Sequence, residues 1–203
     1  MEAGEKQDMK RFVTFEGIDG SGKSTISKLV YERLQSEGIK VVLTVEPTDT
    51  EVGRFVQQCI QTNGDPYVTA FAFIADRIQH CHQIREWLSQ GYVVLCDRYA
   101  DSTYAYQGAQ LEEEVRSPIR WLQELSHDRI LVPDRTFVFV VDPKTALARI
   151  QHRKALIPFE RIAFLEKVQK NYLRLAREKR YCTVDATKTK EELTELCYQD
   201  ILA

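Results

Sequence analysis

Residues 12–25, FVTFEGIDGSGKST, join a short apolar run to a glycine-rich segment. The run FVTF (12–15) is rich in β-branched and aromatic residues, which favours a buried strand. The segment GIDGSGKST fits the pattern G-x-x-x-x-G-K-[ST], and the residues after it carry apolar side chains at helical spacing. A strand, a glycine-rich turn and a helix in this order predict a loop that binds the phosphates of a nucleoside triphosphate.

The chemistry of phosphate binding accounts for the residue types in this loop. Glycines let the backbone curl so that several N–H groups point inward, and the N-terminus of the following helix adds partial positive charge. Lys23 is expected to reach the β- and γ-phosphates of ATP, and the Ser24 hydroxyl to ligate Mg²⁺. The predicted nucleotide-binding residues of the loop are Gly17, Ile18, Asp19, Gly20, Ser21, Gly22, Lys23, Ser24 and Thr25.

The loop by itself indicates only a nucleoside triphosphate. A glycine-rich turn that matches by chance is the alternative, and the flanking strand and helix argue against it. The sequence lacks the guanine-reading N-K-x-D of switch GTPases and the L-S-G-G-Q of transporter ATPases. The rest of the chain must therefore supply the specificity.

Continuous apolar runs recur along the chain and are typical of strands buried on both faces of a parallel sheet. Amphipathic segments separate them; one ends at Gly38, and another opens with Ser117 as N-cap and Pro118 in the first turn. Strands alternating with helices predict an α/β fold: a three-layer P-loop NTPase fold with a five-stranded parallel sheet flanked by helices. We interpret residues 11–203 as one domain and residues 1–10 as a loose leader without a signal peptide. The five runs are FVTF (12–15), VVLTV (41–45), VVLC (93–96), TFVFVV (136–141) and YCTV (181–184).

Composition narrows the range of partners. The 203 residues are 43% hydrophobic and 29% charged with a formal net charge of −2, so nucleic acid and anionic membranes are poor default partners. No apolar run approaches the roughly 20 residues that span a bilayer. Five cysteines without a C-x-x-C spacing predict reduced thiols and a cytoplasmic protein. Consecutive helical residues diverge by about 100°, so His80-Cys81-His82 predicts a satisfied helical surface rather than a metal site.

Polar clusters follow the strands at the edge of the predicted sheet where ligands bind in such folds. Glu46-Pro47 follows the second strand, and DRYADSTYAYQG (97–108) follows the third. Between them lies a predicted helix that contains FAFIADRIQH (71–80). These clusters are expected to meet in one crevice beside the phosphate-binding loop.

The order and spacing of these motifs resemble the thymidylate kinase family, the dTMP-phosphorylating P-loop nucleoside monophosphate kinases. The matching segments are FEGIDGSGKST, EPT, FIADR, DRYADSTYAYQG, VPDRTFVFVVDPKTALARI and VDAT, and they cover nearly the whole chain. The resemblance implies Mg²⁺-dependent transfer of the ATP γ-phosphoryl group to dTMP, giving dTDP and ADP in dTTP biosynthesis. It also implies a homodimer, formed through the helices that carry Phe55 and Ile74.

The resemblance assigns roles around the transferred phosphate. Asp97 lies near Mg²⁺ and its waters, as a Walker-B acid does. Arg98 clamps the monophosphate, since a guanidinium binds phosphate through two hydrogen bonds. Asp19 contacts the sugar hydroxyl of the acceptor or the metal region. The catalytic residues predicted on this basis are Lys23, Asp97, Arg98, Arg153 and Asp19.

The resemblance also assigns a base and sugar pocket. Phe73 stacks on thymine, and Arg77, four residues on, donates to its O4. Ser102 and Thr103 lie where the family contacts N3, and Tyr106 crowds the 2′ position of the sugar. A surface arginine paired with Asp76 is the alternative for Arg77. Tyr99 and Tyr104 are candidates for packing as much as for ligand contact, and Phe71 is expected to lie in the core. The predicted substrate-binding residues are Asp19, Glu46, Pro47, Phe73, Arg77, Arg98, Ser102, Thr103, Tyr106 and Gln107.

A basic segment after the fourth strand, LARIQHRKALIPFERIAF (147–164), resembles the family's lid, here about residues 149–161. The variable residues of the phosphate-binding loop are not basic. The positive charge that stabilises the phosphoryl group during transfer must therefore come from another part of the chain. We expect Arg149 and Arg153 to bind ATP and Arg153 to act in catalysis, assisted by Arg149 or Arg161. A solvated basic helix end is the alternative.

Two positions depart from the family pattern. Val45 and Gln57 stand where some members carry arginine, and Arg54 is a candidate to replace the missing phosphate clamp. The stretch VDAT (184–187) falls where the family holds adenine, partly through backbone groups.

The alternatives to dTMP phosphorylation are the same chemistry on dUMP or another pyrimidine monophosphate, a nucleotide-binding regulatory module, and a P-loop switch protein.

Overall fold

The computed structural model describes residues 11–150 and 162–203, in which five parallel strands form one sheet. The strand order is β2-β3-β1-β4-β5, so the strand that leads into the glycine-rich loop lies at the centre. All pairs are parallel, which confirms the predicted fold class. The predicted leader (1–10) and nearly all of the predicted lid lie outside the described residues. The strands are β1 (Phe12–Gly17), β2 (Val41–Val45), β3 (Val93–Asp97), β4 (Arg135–Val140) and β5 (Tyr181–Asp185).

Helices cover both faces of the sheet because its side chains alternate between two hydrophobic cores. Val13 and Phe15 of β1 pack in one core with Ile26 and Val30 of the first helix. Phe12 packs in the other core, which includes residues of the third and fourth helices. The described helices are α1 (Lys23–Ser36), α2 (Glu51–Gln61), α3 (Pro66–Ser89), α4 (Ala100–Gln110), α5 (Pro118–Ser126), α6 (Pro143–Ile150), α7 (Ile162–Leu175) and α8 (Lys190–Leu202).

Burial differs between the middle and the edges of the sheet. Every residue of β1 is buried, as its continuous apolar pattern predicts. The edge strand β2 is mostly half-buried, and Val45 at its end is 50% exposed, because an edge strand has a neighbour on one side only. The carboxyl ends of β2 and β3, at Val45 and Asp97, border a space that the core does not fill.

Three local predictions have different outcomes. The chain turns after α1 at Gly38, whose φ of 77° is the left-handed conformation that glycine adopts readily. Ser117 is the N-cap of α5 with Pro118 in the first turn, as predicted, although the Ser117 side chain makes no capping hydrogen bond. Phe71 is 50% exposed and meets Trp121 edge-on at 6.0 Å between ring centroids, so it does not lie in the core.

None of the helices within residues 11–150 and 162–203 is long and apolar enough to cross a membrane.

Candidate active site

Two cavities open at the carboxyl end of the sheet and meet at three shared residues. The larger, which we call the P-loop cavity, has a volume of about 760 Å³ and follows the glycine-rich loop. The smaller, the inner cavity, has a volume of about 310 Å³ and lies between β2, α3 and α4. Asp19, Ser24 and Arg98 line both. A ligand in each cavity would therefore place its reacting end at the same three side chains.

The glycine-rich loop takes its shape from close backbone approach and left-handed turns. Gly20 has a φ of 81°, and a Cβ there would lie 2.2 Å from the carbonyl oxygen of Ala146. Gly22 is the N-cap of α1 with a φ of 94° and offers no side chain to the first N–H groups of the helix. Because no side chain caps this end, the partial positive charge of the helix N-terminus is available to an anion.

Most of the predicted loop residues line the P-loop cavity. Those that do are Asp19, Gly20, Ser21, Gly22, Lys23, Ser24 and Thr25. Gly17 and Ile18 line neither cavity: the Ile18 side chain is fully buried in the core, and the Ile18 carbonyl accepts from the Ser21 N–H at 3.2 Å. These two residues shape the loop through their backbone.

Lys23 is buried in the protein without a full counter-charge. It is 4% exposed, and its Nζ lies 3.7 Å from Asp19 Oδ1. Burial and the nearby charge of Arg98 lower the pKa of Lys23, while Asp19, Asp97 and Glu16 act in the opposite direction. A phosphate in the P-loop cavity would supply the negative charge that this ammonium group lacks.

Arg98 holds the junction of the two cavities. It follows β3 with a φ of 69°, a strained backbone conformation for a residue other than glycine. Its guanidinium donates to the Asp19 carboxylate and, at 3.1 Å, to Ser102 Oγ. Burial raises the pKa of Asp19, but Arg98 and Lys23 outweigh it, so the net shift is downward and Asp19 stays ionised. The Asp19 N–H donates to the Tyr106 hydroxyl at 3.1 Å, which fixes that ring beside the pair.

Four buried side-chain atoms have no hydrogen-bond partner within the described residues: Ser21 Oγ, Arg77 Nη1, Asp97 Oδ1 and Gln107 Oε1. Each belongs to a residue that lines one of the two cavities. A buried polar atom left without a partner costs about 1–3 kcal/mol, so such atoms are rare in a folded protein. Their concentration around these cavities indicates that a polar ligand completes their hydrogen bonding.

Arg77 is fully buried and held by a network rather than by Asp76. Its Nε and Nη2 bind Glu46 Oε2 at 2.8 Å and 2.7 Å, and Nη2 also donates to Thr103 Oγ1 at 3.0 Å. Burial lowers the pKa of Arg77, but the charge of Glu46 more than offsets this and raises it above its ordinary value. Asp76 faces the other way and accepts from the Thr48 N–H at 2.8 Å. The alternative of a surface ion pair with Asp76 is therefore wrong.

The remaining wall of the inner cavity is apolar. Phe73 precedes Arg77 by one helical turn and lines the cavity with Pro47. Val45 and Ile60 also line it, and sequence reasoning did not assign them to the site. Such a wall accommodates a flat heterocycle whose polar atoms meet Arg77.

The predicted pocket residues of α4 divide into two groups. Ser102, Tyr106 and Gln107 line the inner cavity. Thr103 is 1% exposed and lies behind Arg77, so it contacts the guanidinium rather than the cavity. Tyr99, the N-cap of α4, and Tyr104 are buried in the second hydrophobic core, and Tyr99 also lines the inner cavity.

Ser24 and Asp97 both line the inner cavity at its junction with the P-loop cavity. Asp97 Oδ1 is one of the unpartnered atoms, and a hydroxyl with a carboxylate suits the oxygen-only preference of Mg²⁺. Within the described residues no three His, Cys, Asp or Glu side chains form a metal cluster. Two protein oxygens fit an ion that takes its other ligands from phosphate and water.

Residues after β5 also line the P-loop cavity: Ala186, Lys188, Thr189, Lys190 and Leu193. Sequence reasoning singled out VDAT but missed Lys188 and Lys190, although basic residues after a parallel strand were the available signal. Arg149 lines this cavity, and its guanidinium donates to the Ala186 carbonyl at 3.1 Å.

The three remaining predicted arginines give no contact with either cavity within the described residues. Arg153 and Arg161 lie outside the described residues. Arg54 is exposed, pairs with Asp49 at 3.4 Å and lines neither cavity. In this structure it does not replace a phosphate clamp.

Comparison with known proteins gives one consistent family. Residues 15–196 match the model of the family described as Thymidylate kinase. A probable thymidylate kinase of Methanosarcina mazei is 37% identical over 196 residues, 95% of each chain. Those of Methanoculleus marisnigri (39% over 194 residues, 94% of each chain) and Pyrobaculum aerophilum (38% over 185 residues, 90% of this chain and 91% of the relative) are similar. The chain belongs to the thymidylate kinase family.

Proposed function

We propose that this protein transfers the γ-phosphoryl group of ATP to dTMP, giving dTDP and ADP, with Mg²⁺. The observation that carries the proposal is the inner cavity, where a free donor and a free acceptor face an apolar wall next to the P-loop cavity. ATP occupies the P-loop cavity and dTMP the inner cavity, so the γ-phosphate and the acceptor phosphate meet at Arg98.

The hydrogen-bonding pattern of the inner cavity matches thymine. Arg77 Nη1 is a donor for O4, and Gln107 Oε1 is an acceptor for the N3–H. The amide nitrogen of Gln107 donates to Gln110 Oε1 at 3.2 Å, which favours the orientation that leaves Oε1 for the ligand. Cytosine carries an amino group in place of O4 and no hydrogen on N3, so it would set donor against donor and acceptor against acceptor. Phe73 stacks on the ring.

The sugar and the acceptor phosphate follow from the same pose. The Asp19 carboxylate accepts from the 3′-hydroxyl, and the Tyr106 ring fills the space that a 2′-hydroxyl would need. Arg98 donates to the acceptor phosphate and orients it toward the γ-phosphate. Because Arg98 is tied to Asp19 and Ser102, it is already placed before the substrate binds, which lowers the entropic cost of orienting the reactants.

Phosphoryl transfer requires positioning and charge neutralisation more than covalent chemistry. Lys23 and the N–H groups at the start of α1 bind the β- and γ-phosphate oxygens and stabilise the charge that builds on them. Ser24 and Asp97 would hold Mg²⁺, which neutralises charge on the phosphates when bound. Arg153, assisted by Arg149 or Arg161, supplies a further positive charge to the transferring group and belongs to the lid that excludes water.

We also propose a homodimer in the cytoplasm. Phe55, Val68 and Phe71 are 47–50% exposed on α2 and α3, which pack against each other. Exposed aromatic side chains grouped on neighbouring helices are typical of an interface. Ile74 is 7% exposed within the chain, so α3 would contribute the face of Phe71 rather than that of Ile74. The five cysteines are thiols, which suits a reducing compartment.

The test is ADP release with ATP and Mg²⁺, with dTMP, dUMP, dCMP, UMP, dGMP and AMP as acceptors in turn. We expect fast turnover with dTMP, slower turnover with dUMP because one methyl group contributes only about 1–3 kcal/mol, and little with the others. Fast turnover with another acceptor alone would overturn the base-reading roles. Nucleotide binding without any turnover would favour a regulatory module instead.

A further inference from the structure

His80 lies one helical turn after residue 77 on α3, behind the wall of the inner cavity. It is 5% exposed, and both ring nitrogens have partners. Nδ1 lies 3.0 Å from Glu46 Oε1, and Nε2 lies 2.8 Å from Thr44 Oγ1. His80 therefore belongs neither to the helix surface nor to a metal site within the described residues.

The partners fix the direction of both hydrogen bonds. A carboxylate oxygen can only accept, so Nδ1 carries the proton and donates it to Glu46. In the neutral ring Nε2 then accepts from the Thr44 hydroxyl. The chain of contacts runs from Thr44 at the end of β2, through His80 and Glu46, to Arg77 on α3.

His80 and Arg77 contact different oxygens of the Glu46 carboxylate. A carboxylate and a guanidinium ordinarily prefer a two-oxygen, two-nitrogen pairing. Here Oε1 meets His80 Nδ1, and Oε2 accepts from Arg77 Nε. Arg77 Nη2 lies 2.7 Å from the same Oε2 and donates to the Tyr99 carbonyl and to Thr103 Oγ1. The third nitrogen, Nη1, has no partner within the described residues, and Arg77 lines the inner cavity.

We propose that His80 is a positioning residue for base recognition: by occupying one oxygen of Glu46 it keeps Arg77 Nη1 available for the O4 of the substrate base. Without it, Glu46 is free to rotate and to pair with Arg77 through both oxygens. That pairing would change the direction of the guanidinium or engage Nη1 itself. The inference rests on the proposed function, since it assigns O4 of dTMP to Arg77.

The test compares dTMP with 4-thio-dTMP, which keeps the N3–H and the methyl group but has a weak sulfur acceptor at position 4. For His80→Leu we expect kcat/KM for dTMP to fall about tenfold, mostly through KM, with KM for ATP unchanged. The value for 4-thio-dTMP should fall less than about threefold, because that substrate gains little from Arg77.

Three further variants separate positioning from packing. In His80→Asn the amide nitrogen takes nearly the place of Nδ1, and we expect it to restore kcat/KM for dTMP to within about threefold of wild type. His82→Leu, two positions along the same helix and exposed, is the matched control and should behave as wild type. Should His80→Leu fail to fold, Thr44→Val removes only the hydroxyl that meets Nε2. It should likewise lower kcat/KM for dTMP more than kcat/KM for 4-thio-dTMP.

The outcomes are distinct. A wild-type enzyme that does not phosphorylate dTMP would overturn the proposed function and this inference with it. Suppose that wild type turns over dTMP but His80→Leu lowers kcat/KM equally for dTMP and 4-thio-dTMP, or that His80→Asn does not restore kcat/KM for dTMP. The role of His80 is then structural, and this inference is wrong while the proposed function stands.

Discussion

At the scale of single residues, the site is marked by polar atoms that the protein leaves incomplete. Gln107 Oε1 is buried without a partner within the described residues, while the rest of the side chain is fixed by Gln110. Such an atom destabilises the protein before substrate binds and stabilises the complex afterwards. Stability and function therefore oppose each other at this position.

The Gln107→Leu variant should bind dTMP more weakly without losing stability. We expect KM for dTMP to rise about tenfold, because the acceptor for N3–H is lost, while KM for ATP stays the same. The free energy of unfolding should be unchanged or higher by about 1 kcal/mol, because an unsatisfied polar atom is removed. Urea denaturation without ligand and steady-state kinetics measure the two quantities. A variant with lower stability and unchanged KM would contradict this role.

Lys23 is a buried cation that lines the P-loop cavity. Its ammonium is 3.7 Å from Asp19 and otherwise enclosed, so Lys23→Ala should lower kcat about 100- to 1,000-fold. The fold should persist, since the lysine loses no strong partner, and a thermal melt checks this. Lys28→Ala is the matched control on the same helix, because that side chain is 70% exposed. If Lys23→Ala kept activity near the wild-type level, the proposed binding of the ATP phosphates by Lys23 and the glycine-rich loop would be contradicted.

At the scale of elements, Glu16 links the central strand β1 to α4, the helix that follows Arg98 and carries Ser102, Tyr106 and Gln107. Its Oε1 accepts from the N–H groups of Tyr99 and Ser102 at the start of α4, at 2.8 Å and 3.2 Å. Its Oε2 accepts from Ser102 Oγ at 2.6 Å and from the Tyr172 hydroxyl on α7 at 3.0 Å. One buried carboxyl group therefore joins β1, α4 and α7 beneath the site.

Burial, reinforced by the charge of Asp101, raises the pKa of Glu16 to about 7, against the lowering effects of Ser102, Arg98 and the Tyr99 N–H. The folded protein thus keeps a proton that the unfolded chain releases near pH 4.5. The stability from this group is fully present below that pH and is lost as the pH rises through about 7.

Glu16→Gln should remove this pH dependence, because an amide resembles the protonated carboxyl and does not titrate. We expect the difference in the free energy of unfolding, wild type minus variant, to fall by up to about 3 kcal/mol between about pH 5 and about pH 8. Urea titrations at the two pH values measure it, with Glu124→Gln on the exposed face of α5 as control. A constant difference would mean that Glu16 is ionised throughout.

At the scale of the whole molecule, the proposed dimer would cover the exposed aromatic side chains of α2 and α3. Introducing a charge at Phe55 and Phe71 should disfavour association, since a carboxylate would be buried without a partner. Light scattering of the Phe55→Glu/Phe71→Glu protein should give the mass of one chain, and that of wild type twice the mass. Leu125→Glu on α5, where the side chain is 37% exposed, is the control. A wild-type protein with the mass of one chain would refute the dimer.

The sequence alone determined the five strands, several of the helices and the position of the glycine-rich loop between β1 and α1. The predicted strand FVTF became Phe12–Gly17, and VVLTV became Val41–Val45 without change. These features were readable because each depends on neighbours along the chain: apolar periodicity, glycine spacing and the residues that end a helix. The meeting of Glu46, Asp97 and Arg98 in one cavity was readable too, since parallel strands bring their carboxyl ends together.

Only the tertiary structure decided how those residues are held. Glu46 and Arg77 are 31 positions apart and Glu16 and Tyr172 are 156 apart, so no local pattern reveals that they meet. Phe71 reads as a core residue in sequence but lies on the outer face of α3, and Thr103 lies behind Arg77 rather than in the cavity. Burial and hydrogen-bond partners come from contacts between distant segments, and these exist only once the chain has packed.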